Sequence, residues 1–236
     1  MASHGKQRHT KRLAAPKVLP IPRKKTLWIK SNQPGAHGKD GSIPLLLLLR
    51  DVLKVCMNKA EAKTLLKNKQ VTVDGRHVGD VGFPVGLMDV VSLKNHANFV
   101  VIINQSGKIA AVKTDQSNQK LCKVIDKRTI TGGKVQLALH DGRSLIVPNA
   151  KAYSTGDTLV ISLPKAEIKG HLKLEKGSRC YVFRGRHSGA IGGLVDIHVF
   201  PGITPSNAKI LDEQHKTDVV TLKEYVFVVD KNFKTG

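Results

Sequence analysis

Asn58-Lys-Ala-Glu-Ala-Lys-Thr-Leu-Leu-Lys-Asn-Lys-Gln-Val-Thr-Val-Asp-Gly-Arg76 carries two periodicities back to back. In its first half Ala62, Leu65 and Leu66 recur at helical spacing, and Lys59, Lys63 and Lys67 form a separate stripe at i, i+4. Asn58, followed three positions later by Glu61, is a capping-box pair, which predicts a helix from Lys59 to about Asn68. In the second half Val71-Thr72-Val73 alternates into Asp74-Gly75, the dipeptide of a two-residue hairpin turn. Like charges spaced as these lysines are repel by a few tenths of a kcal/mol per pair, and a facing anion accounts for them. The alternative is an ordinary helix pair with solvated lysines.

Upstream, Ser42 is the expected N-cap, with Pro44 in the first turn, of a helix through about Val55. Leu45, Leu48, Leu49, Val52 and Leu53 give it one buried face. Downstream, Val78, Val81, Val85 and Val90-Val91 continue a small sheet, so residues 42–97 read as one domain of two helices and a sheet. From Phe99 the pattern changes to short strands: 99–103, 109–113, 120–126, 135–139, 144–147 and 158–163. Turn residues separate them at Gln105-Ser106-Gly107, Gly132-Gly133, Asp141-Gly142 and Gly156-Asp157. This places a central β-domain at 98–170. Residues 171–236 read as a third domain, with strands at 179–184, 190–200, 208–211, 218–220 and 225–229. The fold class is α+β and multidomain.

Charge has its own distribution. The 236 residues hold 39 Lys+Arg against 18 Asp+Glu, a formal +21. Residues 1–39 contain ten of the basic residues and no acid, so 1–41 read as a basic N-terminal extension, drawn out and ordered only against a polyanion. Nucleic acid is that polyanion, with a solvated tail or an import signal at Arg23-Lys24-Lys25 as the alternative. Arg8, Lys11, Arg12, Arg23, Lys24 and Lys25 are its candidate phosphate contacts. Trp28 either stacks on a base or anchors the segment on the body. Residues 212–236 carry five acids against four lysines and are expected to face away from the polyanion, toward solvent or another protein.

Several classes fall away. The longest apolar run, Ile43–Leu49, is far short of the roughly 20 residues of a membrane span, and no secretory or transit signal is readable at the N-terminus. Cys56, Cys122 and Cys180 are odd in number and widely spaced, which argues against a disulfide framework or a zinc ribbon and for a reducing, cytoplasmic setting. P-loop, G-x-S-x-G, H-E-x-x-H and G-x-G-x-x-G patterns are missing, so no catalytic residue, metal ligand, cofactor or small-molecule substrate is expected. Cys180 and His187 lack a second metal-type pair, and His171 and His198 are structural or RNA-facing.

Three resemblances follow from these residues. Asn58 to Arg76 resembles the αL-type RNA-binding motif of bacterial ribosomal protein S-four, many pseudouridine synthases and some tRNA synthetases. It would present Arg50, Lys59, Lys63 and Lys67 to phosphates and bring Arg76 and His77 to the edge of the same groove. Gly177-Ser-Arg-Cys-Tyr-Val-Phe-Arg-Gly-Arg-His-Ser-Gly-Ala-Ile-Gly-Gly-Leu-Val-Asp-Ile197 resembles a KOW motif, the mark of an SH3-like β-barrel. Its basic loop offers Arg184, Arg186 and His187, with Gly185 and Gly189 letting the backbone approach a sugar-phosphate chain. A plain hairpin with a basic tip is the alternative.

The third is the most specific. Leu13-Ala14-Ala15-Pro16, Trp28, Pro34-Gly35-Ala36-His37, Ser42-Ile43-Pro44-Leu45 and Leu49-Arg50-Asp51 resemble the N-terminal signature of the archaeal and eukaryotic small-subunit ribosomal family S-four-e, most closely its archaeal members. Ala36 stands where relatives carry proline, and His37 is kept as a site residue. The resemblance covers essentially the whole chain. It implies a ribosomal constituent that binds small-subunit ribosomal RNA, touches neighbouring small-subunit proteins and resides in the cytoplasm. An RNA-modifying enzyme with an αL-type module would need a large catalytic domain with an active-site Asp in a conspicuous motif, whereas 100–236 read as small β-domains. A KOW-type transcription elongation factor explains neither the tail nor the αL-type motif.

Overall fold

The computed structural model describes residues 9–94, 96–148, 150–201, 204–213, 215–230 and 233. It divides into two compact units, one comprising the chain up to Val101 together with Lys108–Asp115, the other Ile102–Gly107 together with everything from Gln116. The chain therefore passes from one unit to the other between 101 and 102, 107 and 108, and 115 and 116. Most of the described elements are strands; helices are few and short.

In the first unit the apolar run from Ile43 to Leu49 is buried throughout, Ile43 and the five leucines each at most 4% exposed. Ser42 is not a helix cap. Ser42–Pro44 is a strand paired antiparallel with Pro84–Gly86, and the Ser42 hydroxyl donates to the Gly38 carbonyl and accepts from Asn32 Nδ2. The proline preceding the leucines holds an extended backbone, so the helix starts only at Leu45 and widens to a π-turn over Leu48–Val52. A left-handed Lys54 (φ 55°) follows it. The next helix, Lys59–Lys67, is capped as expected: Asn58 Oδ1 accepts from Glu61 N at 2.9 Å, and Glu61 Oε2 accepts from Met57 N at 2.8 Å.

Val71–Val73 and Arg76–His77 form the expected hairpin, with Asp74 (φ 52°) and Gly75 (φ 74°) both left-handed, as a type I′ turn requires. Asp74 is pinned to Val90 twice, its amide donating at 2.8 Å and its carboxylate accepting the Val90 amide at 3.0 Å. The sheet runs Arg76–His77, Val71–Val73, Val90–Leu93, Asn98–Ile103, Ile109–Thr114. Asn98–Ile103 and Ile109–Thr114 thus complete this sheet, and a separate central sheet begins only at Gln119, not at residue 98.

Residues 9–41 are not a free extended tail. Thr10–Lys11 pairs antiparallel with Trp28–Ile29, Leu19 and Ile21 are buried, and the Val18 carbonyl accepts from the Ile109 amide at 2.9 Å. The uniform charge misled the sequence reading because the apolar side chains between the cations suffice to seat the segment on its own unit.

The second unit holds two five-stranded antiparallel sheets. The central one is ordered Ser144–Val147, Val135–Leu139, Gln119–Thr129, Thr158–Ser162, Ile168–Leu172, over a core of Cys122, Val124, Leu137, Leu159 and Ile161. Ile168–Leu172, which alternates weakly around Gly170, is the strand that the sequence hides. The C-terminal sheet is ordered Asp218–Leu222, Asn207–Asp212, Ile191–His198, Arg179–Val182, Val226–Val228, over Cys180, Val182, Leu194, Ile210 and Val226. Two polar clamps tie this unit together. Lys123 Nζ, on the central sheet, donates to the carbonyls of Val226 at 2.7 Å, Glu224 at 2.8 Å and Lys223 at 3.4 Å. The Tyr181 hydroxyl accepts from the Ile103 amide at 2.9 Å and donates to the Ile103 carbonyl.

Candidate nucleic-acid interface

On the helix Lys59–Lys67, Ala62 and Leu66 are buried and Lys59, Lys63 and Lys67 are exposed. None of the three lysines joins an ion pair among the described residues, so their charge is available to an external anion. Arg76 and His77 are exposed on the edge strand of the same unit's sheet. Arg50 is partly committed. Its guanidinium holds Asp51 at 2.8 Å, and that hydrogen bond raises it above its ordinary value. Lys54 and Lys69 are exposed cations that the sequence reading missed, each in left-handed backbone just past a helix end (φ 55° and 52°). The signal that could have found them is a lysine where a helix pattern stops.

In the N-terminal segment Lys11, Arg23, Lys24 and Lys25 are exposed. Arg8 lies outside the described residues. Arg12 turns inward: its guanidinium donates to the carbonyls of Ile21 and, at 3.2 Å, Pro22, so it helps hold the segment's own fold. His37 turns inward as well. Its ring packs over Gly86, where a Cβ would lie 2.6 Å from His37 Cδ2, and Nε2 meets Asp89 Oδ1 at 2.9 Å with the histidine side chain only 8% exposed. His37 anchors the segment and does not face outward. Trp28 anchors nothing so deeply, being 52% exposed.

In the second unit, Arg184, Gly185, Arg186 and His187 project in a loop between Arg179–Val182 and Ile191–His198, all four exposed. Arg184 lies over the Tyr225 ring, 5.8 Å from its centroid. Gly185 is left-handed (φ 96°). Gly189 has another duty: it is buried at φ 86°, and a Cβ there would sit 2.6 Å from Gln105 Cα, so the glycine admits a neighbouring backbone, not a ligand. Cys180 is fully buried, and burial pushes its thiol up to about 12, which leaves it inert. His171 meets Asp157 at 2.8 Å, whereas His198 is exposed. Among the described residues no three His, Cys, Asp or Glu side chains converge as a metal site, and no helix is long and apolar enough to cross a membrane.

A sequence model described as the ribosomal family S4e matches residues 95–168, one described as the RS4NT (NUC023) domain matches 4–40, and one described as the S4 domain matches 48–91. The chain is 41% identical to the small ribosomal subunit protein eS4 of Methanocaldococcus jannaschii, across 97% of this chain and 96% of the relative. The chain belongs to the ribosomal S4e family. The eS4 protein of Methanocella arvoryzae is 37% identical, across 95% of this chain and 94% of its own. The crystal structure of the 30S ribosomal protein S4e from Thermoplasma acidophilum superposes with a TM-score of 0.69 at 31% identity, covering 81% of this chain and 96% of that one. Within this S4e family member the S4 match spans the lysine-bearing helix and the Asp74-Gly75 hairpin, the stretch that the sequence reading identified as αL-type.

Proposed function

We propose that this S4e chain is a structural constituent of the small ribosomal subunit that holds ribosomal RNA by phosphate contacts and supports subunit assembly and translation, without chemistry of its own. What carries the reading is the alignment of nearly the whole chain with relatives named small ribosomal subunit protein eS4. The physics agrees with it. A formal charge of +21, with its unpaired lysines on a helix face and its arginines on a loop, suits a polyanion.

Three places make the contacts: the exposed cations of the N-terminal segment, the S4-type helix and hairpin with Arg50, Lys59, Lys63, Lys67, Arg76 and His77, and the loop Arg184–His187. We read that loop as the tip of a KOW motif within an SH3-like barrel. RNA is recognised there by shape and phosphate spacing rather than by a base code. Neighbouring small-subunit proteins complete the surroundings, and the location is the cytoplasm.

The test is sedimentation of the protein from lysate at moderate and high salt, with binding to small-subunit RNA followed across the same range. Comigration with small subunits and a log-log salt slope of several, about 0.7–0.9 per phosphate contacted, are expected. Recovery with RNA polymerase, or affinity insensitive to salt, overturns the reading.

A further inference from the structure

Trp28 is the chain's single tryptophan, and its ring is left 52% exposed on a two-stranded ribbon. The ribbon is well defined: Lys11 is opposite Trp28, Thr10 opposite Ile29, and the Arg12 amide donates to the Leu27 carbonyl at 3.0 Å. Lys11 Nζ lies over the indole, 5.5 Å from its centroid, and the His9 ring meets it edge-on at 5.8 Å. The loop joining the two strands exposes Lys17, Arg23, Lys24 and Lys25, and residues 1–39 contain no acid. Lys25 is three residues from Trp28, within about 10 Å of extended chain. A large aromatic surface is therefore presented to water, beside a cation, on the most uniformly positive stretch of the molecule.

A nucleobase answers the ring and the charge together, offering a π-face with a phosphate on each side. We infer that Trp28 is a stacking site for one unpaired RNA base, with Lys11 holding one side of the indole and the neighbouring lysines taking the flanking phosphates. The base must come from a bulge, loop or single strand, because a base within a duplex presents no free face. Stacking tolerates any base, so the site reads the availability of a base and not its identity. The inference rests on the RNA-binding reading above and adds a base contact to its phosphate contacts.

The lone tryptophan makes the test direct. The full chain is titrated with a labelled RNA hairpin bearing one looped-out nucleotide and with the same stem fully paired; binding is read by anisotropy of the label and stacking by tryptophan fluorescence. We expect quenching and shielding from acrylamide with the bulged hairpin alone. Trp28→Phe should keep most of the preference for the bulge, and Trp28→Ala should lose roughly five- to hundredfold in affinity for the bulged hairpin, with the paired stem and the salt slope unchanged. Both variants should melt close to the unsubstituted chain, because the position is exposed. Hairpins that bind by anisotropy while the fluorescence stays constant, or equal losses on both RNAs, overturn the stacking site and leave phosphate binding intact. Failure of both RNAs to bind overturns the broader reading as well.

Discussion

Lys123 shows how much one side chain does in a basic protein without touching a ligand. Its ammonium is buried and donates to three backbone carbonyls at 223–226. Burial pushes the amine down to about 8 from an ordinary 10.5. Between those two values the unfolded chain binds the proton more tightly than the folded one, so the stability contributed by Lys123 rises with pH across that window and is constant below it. Lys123→Met should cost about 2–4 kcal/mol near neutral pH, because three buried acceptors lose their donor. The gap between wild type and variant should widen by on the order of 2 kcal/mol from pH 8 to pH 10. Urea unfolding of both proteins at those pH values checks this, and a constant gap would contradict the protonation account. Nothing in the sequence singles out Lys123 among so many lysines. Its role comes from strands about a hundred positions apart being folded into one unit.

Among the elements, the helix Lys59–Lys67 is where sequence and structure agree most closely, because its signals are local. The cap, the apolar stripe and the lysine stripe all lie within one short segment. Replacing Lys59, Lys63 and Lys67 together by Gln should lower the salt slope of RNA binding by about 2–3. Stability should change by no more than about 0.5 kcal/mol, since all three positions are exposed. An unchanged slope, measured by filter binding across a salt series, would remove this helix from the interface. The hairpin at Asp74-Gly75 and most of the later strands were legible for the same reason. Elements whose start depends on a distant partner were not. Ser42–Pro44 is a strand because Pro84–Gly86 pairs with it, and Gly189 is required by the backbone of Gln105 and not by a loop of its own. The inward turn of Arg12 and His37 has the same origin: the presence of a basic side chain is visible in sequence, its orientation only in the fold.

At the scale of the whole molecule, the N-terminal segment is part of the architecture. It contributes Leu19 and Ile21 to the buried set, Val18 to the pairing of Ile109, and His37 to Asp89. Deleting residues 1–41 should therefore weaken the remainder as well as its affinity for RNA. Exposed apolar surface and an Asp89 without its histidine should lower the melting temperature and promote self-association, both measurable by calorimetry and gel filtration. A deletion variant as stable and monodisperse as the full chain would show the segment to be a dispensable tail. Overall basicity was legible at once, whereas the seating of this segment was not, because it is set by a few apolar residues scattered among cations.

The three passages of the chain between its units, at 101/102, 107/108 and 115/116, also bear on how the molecule is built and inherited. A simple cassette can be spliced in or lost at one junction, but here no single cut returns two complete pieces. During synthesis the first unit stays incomplete until residue 115 has emerged, by which point Ile102–Gly107, the opening segment of the second, has emerged as well. Transferring the whole first unit to another protein would mean carrying Lys108–Asp115 with it and rebuilding the connection that now runs through Ile102–Gly107.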